Sequence, residues 1–272
     1  MPKGDVYGRP QASPGSRKYA ERLGGSHSKL QLQLYPLAWE DTVWVFDDFM
    51  QDTINLDFYA LSADGTATTF AATSTPLRGG TITGNTGTTD NGFHSIKGLL
   101  AYFGDNNCGM EIRFKQDVVT GHAVEMGFTD ALTDDTLPAI NDIDTPTITN
   151  GAVDVAIIVK DTDQTLTTLA FVTDGNTADF NTTKTNLGTQ DLTAATYMTG
   201  RVGIAGDAAY CGLYGADGEL LQFASHGIAT ASSVEGGDAV APWFISGTRN
   251  TTDKITDIDF ICSWEDRSTR PS

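Results

Sequence analysis

MEIRFKQDVVTGHAVEMGFT, residues 110–129, is the stretch that decides the fold. In Glu111–Gln116 the side chains alternate. Ile112 and Phe114 fall on one side of an extended chain, and Glu111, Arg113 and Lys115 on the other. In His122–Phe128 the set His122, Val124, Met126 and Phe128 shares one side, and Ala123, Glu125 and Gly127 share the other. A period of two with one apolar side marks a strand that lays one face on a core.

The same pattern repeats outward from this stretch. Leu30–Leu37 alternates Leu30, Leu32 and Leu34 against Gln31 and Gln33, a half-buried strand. Further strands are expected at Val43–Phe49, Phe58–Ser62, Thr81–Thr83, Gly98–Phe103, Val153–Lys160, Leu166–Thr173, Thr199–Ile204, Tyr210–Tyr214, Glu219–Ser225, Trp243–Gly247 and Lys254–Trp264. Asp64-Gly65, Asp90-Asn91-Gly92, Asp174-Gly175 and Asp217-Gly218 mark turns. Many short strands with almost no helical period predict an all-β sandwich. Asp130–Asn150 is acidic, holds Pro138 and Pro146, shows no period, and reads as a long surface loop within one domain. Charged residues are only 19% of the 272, and Gly, Thr, Asp and Asn are abundant, which suits strands and turns over helices. A chain of this length can close a single sandwich around a substantial core.

Charge divides the chain in two. Residues 1–40 hold six basic and three acidic residues, and the rest holds 11 basic and 32 acidic, within a net charge of −18. The acidic body repels nucleic-acid phosphates. Residues 1–29 form an arm broken by Pro2, Gly4, Gly8, Pro10, Pro14, Gly15, Gly24 and Gly25. It is expected to dock on an acidic protein surface through Lys3, Arg9, Arg17, Lys18, Arg22 and Lys29, with Tyr7 and Tyr19 as amphipathic anchors. Residues 30–272 are read as one sandwich domain. Cys108, Cys211 and Cys262 are odd in number and widely spaced, which suits buried thiols in a reducing compartment. Residues 1–30 lack a signal-peptide apolar core, and no apolar run reaches membrane-spanning length, so assembly in a cytoplasm without membrane contact is expected.

The ordered segments WVFDDF, CGMEIRFK, HAVEMGFTDA, VDVAIIVKD, LAFVTDGN, RVGIAGDAAYCGLYGADGELL, APWFISGTRN and KITDIDFICSW resemble the concanavalin A-like (laminin-G-like, legume-lectin-like) jelly roll in versions found among tailed-phage virion proteins. The resemblance covers roughly residues 40–265 and implies a jelly-roll β-sandwich with an extended N-terminal arm. It implies glycan binding, glycoside hydrolysis or a structural role, between which the fold does not choose.

The residues weigh these. The Glu-x-Asp-x-x-Glu motif of the laminarinase-like branch is absent, and Glu111 and Glu125 are the nearest carboxylates, on separate strands. Adjacent Asp47 and Asp48 point to opposite faces and suit a turn cap or an Arg partner. Asp90-Asn91, Asp105-Asn106-Asn107 and Asp161–Asp163 are fragments of a calcium loop at most. Trp39, Trp44, Trp243 and Trp264 suit core packing more than sugar stacking. His27, His94, His122 and His226 show no ligand spacing, and Ser225-His226 are chain neighbours, which is not how a base reaches its nucleophile. No catalytic, cofactor or metal residue is assigned.

The expectation is a non-enzymatic phage virion structural protein, a capsid decoration (cement) protein on the outer shell. Its partners would be the major capsid protein and other copies of itself, as a dimer or trimer. The alternative is a glycan-binding lectin-like module, or a tail or fibre component.

Overall fold

The computed structural model describes residues 42–49, 54–72, 80–99, 101–131, 138–142, 147–148, 152–163, 168–175, 183–206, 208–227 and 237–266. The described strands run in chain order as β1 (Thr42–Asp47), β2 (Tyr59–Ala63), β3 (Thr68–Ala72), β4 (Ile82–Asn85), β5 (Phe93–Gly98), β6 (Tyr102–Phe103), β7 (Cys108–Gln116), β8 (His122–Thr129) and β9 (Ile140–Asp142). They continue as β10 (Thr147–Ile148), β11 (Val155–Asp161), β12 (Ala170–Asp174), β13 (Thr183–Asn186), β14 (Met198–Ala205), β15 (Ala208–Tyr214), β16 (Leu220–His226), β17 (Ala239–Thr248) and β18 (Ile255–Asp266).

Two antiparallel sheets face each other. The first has the order β16-β15-β14-β7-β18-β4-β3, with β1 also on β18. The second has the order β13-β12-β11-β8-β17-β5-β2, with β6 also on β17. β9 and β10 pair with each other and with neither large sheet. The two long late strands organise the sandwich. β18 runs its whole length against β7, while its other edge takes β4 at Ile255–Ile258 and β1 at Ile261–Asp266. β17 does the same, with β8 along one edge and β6 then β5 along the other. Pro242, which has no N–H to donate, falls at the junction between β6 and β5. The expected all-β jelly-roll sandwich is therefore the fold.

The core between the sheets gathers the apolar sides read from the sequence. Met110, Ile112 and Phe114 of β7 meet Val124, Met126 and Phe128 of β8, with Ile158, Phe171, Val202, Leu213, Phe244 and Ile258 around them. Phe114 stacks at a tilt on Phe244, centroids 5.1 Å apart. Burying such side chains contributes roughly 1.5–3 kcal/mol each, before the entropy of ordering them.

Three expectations need correction. β8 was expected to bury one face, but every residue of His122–Thr129 is buried. A second apolar layer covers its other side: Ala123, Ala131, Ala139, Ile140, Val155, Ile157, Val159, Val172, Trp243 and Ile245 pack together. The cover comes partly from the stretch read as a surface loop. Within Asp130–Asn150, Ala131 and Pro138–Ile140 are buried, and Ile140–Asp142 is a strand. Strand bounds shifted where contrast between faces was weak. Gly98–Phe103 is not one strand: β5 ends at Gly98, and Tyr102–Phe103 forms β6. β3 and β13 carried no signal above their Thr-rich surroundings.

Candidate recognition surface

The two glutamates weighed in the sequence, Glu111 and Glu125, hold structure together. Glu125, on the outer side of β8, is 1% exposed. Its Oε2 accepts from the Ala139 backbone N–H at 2.7 Å and from the Trp243 indole at 3.1 Å, and its Oε1 accepts from the Ile140 N–H at 2.8 Å. These bonds strap Pro138–Asp142 across the second sheet. Phe93, Ala123, Val159 and Ile245 line the seam beneath the strap. Burial pushes the Glu125 carboxyl up to about 7, against the pull of the three donors. Glu111, on the outer side of β7, is bound by Arg201, whose Nε donates to Oε2 at 2.9 Å and whose Nη2 donates to the same oxygen. Burial raises its carboxyl as well, opposed by the Arg201 charge. The two glutamates lie on different sheets and opposite outer faces, so they cannot flank one scissile bond.

The other fragments are equally committed. Asp47 Oδ1 accepts the Phe49 N–H at 2.8 Å and caps that turn. Asp161 pairs with Arg249, whose guanidinium lies 5.0 Å from the Phe93 ring centroid. Asn106 donates to Glu265. Among the described residues no three His, Cys, Asp or Glu side chains are grouped to hold a metal ion. His226 sits between Thr173 and Thr185 hydroxyls, at 2.7 and 2.9 Å, and does not serve Ser225. Cys108, Cys211 and Cys262 are free and buried, as read. Trp243 and Trp264 are buried, while the Trp44 side chain and Trp39 lie outside the described residues. The arm residues Lys3, Tyr7, Arg9, Arg17, Lys18, Tyr19, Arg22 and Lys29, and the strand read at Leu30–Leu37, lie outside them too.

The outer face of the first sheet carries a pattern that the sequence reading missed. Register places Trp264, Gly109, Gly203, Tyr210 and Ser225 in one row across β18, β7, β14, β15 and β16. The next row is Cys262, Glu111, Arg201, Gly212 and Phe223. A Cβ on Gly109 would overlap the Trp264 indole, and one on Gly203 would overlap the Tyr210 ring. A Cβ on Gly212 would stand 2.8 Å from the Tyr214 hydroxyl. The glycines let these aromatic side chains lie down on the sheet. The Arg201 guanidinium lies 5.5 Å from the Tyr214 ring centroid and 5.9 Å from that of Trp264. Further along, Arg113 and Lys115 lie 4.7 and 5.0 Å from the Tyr197 centroid and pair with Asp259 and Asp257. The signal was present: Tyr210-x-Gly212-x-Tyr214 places two aromatics and a glycine on one strand face.

No family model matches the chain, and no curated protein matches it. Solved structures do. A protein of unknown function from Shewanella oneidensis MR-1 is similar over 96% of this chain and 97% of its own, at 14% identity and a TM-score of 0.57. Basic winged bean lectin with Tn-antigen is similar over 82% and 98%, at 7% identity and TM-score 0.52. The CBM2 module of the evolved Dit protein of Lactobacillus casei BL23 phage J-1 is similar over 84% and 97%, at 12% identity and TM-score 0.50. At these identities the likeness is one of fold, and the fold of this chain is the lectin-like, concanavalin A-type jelly roll.

Proposed function

We propose that this chain is a non-catalytic, lectin-like recognition module carried on a tailed-phage particle, with a glycan as its ligand class. The observation that carries the reading is the commitment of the two candidate carboxylates, Glu111 and Glu125, to internal partners, Glu111 to Arg201 and Glu125 to the strap. A sandwich of this type whose Glu111 and Glu125 do not face each other across one bond is suited to holding a ligand rather than cleaving it. Fold neighbours that include basic winged bean lectin with Tn-antigen and the CBM2 module of a phage Dit protein support it. The test is a printed glycan array probed with the full chain, with and without calcium. Reproducible binding to a glycan class supports the reading, and a blank array under both conditions overturns it.

A second reading, capsid decoration, is favoured by the charge division between a basic first forty residues and a strongly acidic remainder. In it the arm grips the major capsid protein or a neighbouring copy, and many modest contacts reinforce the shell by avidity. Reversing Arg9, Arg17, Lys18 and Arg22 to Glu should abolish co-sedimentation with undecorated capsids. Unchanged co-sedimentation removes the arm from the account, and failure of the unaltered chain to pellet removes the decoration reading.

A further inference from the structure

We infer that the outer face of the first sheet, at its β14–β15–β16 edge, is a stacking site for a neutral glycan, with Phe223 and Tyr210 as its aromatic floor and Arg201 as its polar wall. The inference rests on the glycan-recognition reading above and locates the site.

Phe223 is 55% exposed and Leu220 is 47% exposed, both on the edge strand β16. Single exposed apolar residues are ordinary, but these adjoin Tyr210 and Tyr214 on the same face. Phe223 lies opposite Gly212, and Tyr210 lies opposite Gly203. Two side-chain-free positions therefore stand beside two aromatic rings. The half-buried Tyr210 ring lies against Gly203, which directs its other face away from the sheet. A flat sugar face needs such a platform, together with a few fixed hydrogen-bonding groups. Arg201 supplies them. Its Nε and Nη2 are engaged by Glu111, and its guanidinium plane is braced by Tyr214 and Trp264. The Nη1 hydrogens lie outside the Glu111 pair. Glu219 and Ser225, exposed on the same edge, add acceptors for hydroxyls.

Charge selects the occupant. A chain of net charge −18 repels a polyanionic polysaccharide and repels a second copy laid face to face, whereas a neutral sugar meets neither barrier. The Phe223–Tyr210 face is also away from the second sheet, whose outer side is filled by the chain's own strap.

The test measures the affinity of the full chain for the brightest neutral oligosaccharide on the array. It compares the unaltered chain with Phe223→Ala, Tyr210→Ala and Phe223→Tyr. Phe223→Ala and Tyr210→Ala should weaken binding tenfold or more. Phe223→Tyr should keep it within about threefold, because it keeps the ring. Thermal melting of Phe223→Ala should stay close to that of the unaltered chain, since the side chain is more than half exposed. If the unaltered chain binds and both alanine variants bind equally well, the site is elsewhere while the glycan reading stands. If the array is blank, both fall. If the unaltered chain is a dimer in sedimentation and Phe223→Ala is a monomer, the face is an interface between copies and the inference is overturned.

Discussion

Glu125 joins three donors from two segments through one side chain, so its protonation reports on the strap. Its carboxyl is pushed up to about 7 by burial, so the folded chain holds this proton more tightly than the unfolded chain does. The stability this contributes is fully present below the ordinary glutamate value and is lost as pH rises through 7. His94 and His122 act in the opposite sense. Burial lowers them to about 4 and about 3, so their contribution is present above the ordinary histidine value and is lost as pH falls below it. Two histidines outweigh one glutamate below about pH 6.5, and because the unfolded histidines are still half protonated there, they go on offsetting the Glu125 loss above it. Stability should therefore rise to about pH 7 and stay level to within about 0.5 kcal/mol towards pH 8. Glu125→Gln removes the opposing contribution, so its stability should go on rising by about 0.5–1 kcal/mol between pH 6.5 and 8, while lying about 1–2 kcal/mol below the unaltered chain at acid pH, because an amide oxygen cannot serve all three donors. Denaturant melts from pH 5 to 8 decide it, and a variant as level as the unaltered chain above pH 6.5 removes Glu125 as the opposing group. Neither ring nitrogen of His122 has a hydrogen-bond partner among the described residues. His122→Leu should make the acid decline shallower, at a neutral-pH cost of less than about 1 kcal/mol. Gly127 is fixed by backbone: an added Cβ would overlap the Ala156 carbonyl oxygen and stand 2.8 Å from the Ile157 Cα. Gly127→Ala should cost more than about 3 kcal/mol or prevent folding, measured by the same melts. For Gly203→Ala the nearest obstacle is the ring of half-buried Tyr210, which can swing aside, and the change should cost about 1 kcal/mol.

At the scale of elements, what could be read depended on contrast between faces. β7 and β8 were legible because the apolar side of each is unbroken. β5 was not: inner His94 and Ile96 alternate with outer Phe93, Ser95 and Lys97, and both faces are covered, so polarity carries no phase. β18 hides a second difficulty. Its pairing with β7 shifts between Ile258 and Phe260, leaving Asp259 as an extra residue held by Arg113 at 2.8 Å. The bulge lets Ile258 and Ile261, three apart, both join the core, and it turns Phe260, Cys262 and Trp264 outward. No strict alternation can express that. The strap was read as loop because its contribution is mostly backbone. Two of its N–H groups engage Glu125, and only Ile140 supplies a large apolar side chain to the seam. Ala139→Pro removes one of those N–H groups and should lower stability by about 1–3 kcal/mol, read by thermal melting.

At the scale of the whole molecule, the fold was legible and the proposed recognition surface was not. Sandwich class follows from many short alternating segments. The surface depends on register between β7, β14, β15, β16 and β18, whose members span more than 150 residues of chain, and no local pattern encodes it. The same assembly shields its thiols. Burial raises all three, Cys211 to about 12. None of the three should react with a thiol reagent at neutral pH until the chain unfolds, and rapid labelling of the folded chain would show that the sandwich opens locally. The account's central claim is that a covered second sheet leaves recognition to the aromatic edge of the first. The most direct measurement is a neutral-glycan array read in parallel with the unaltered chain, Phe223→Ala and Glu125→Gln. The account predicts signal from the unaltered chain, loss in Phe223→Ala and retention in Glu125→Gln. A blank array, or loss in Glu125→Gln with retention in Phe223→Ala, contradicts it.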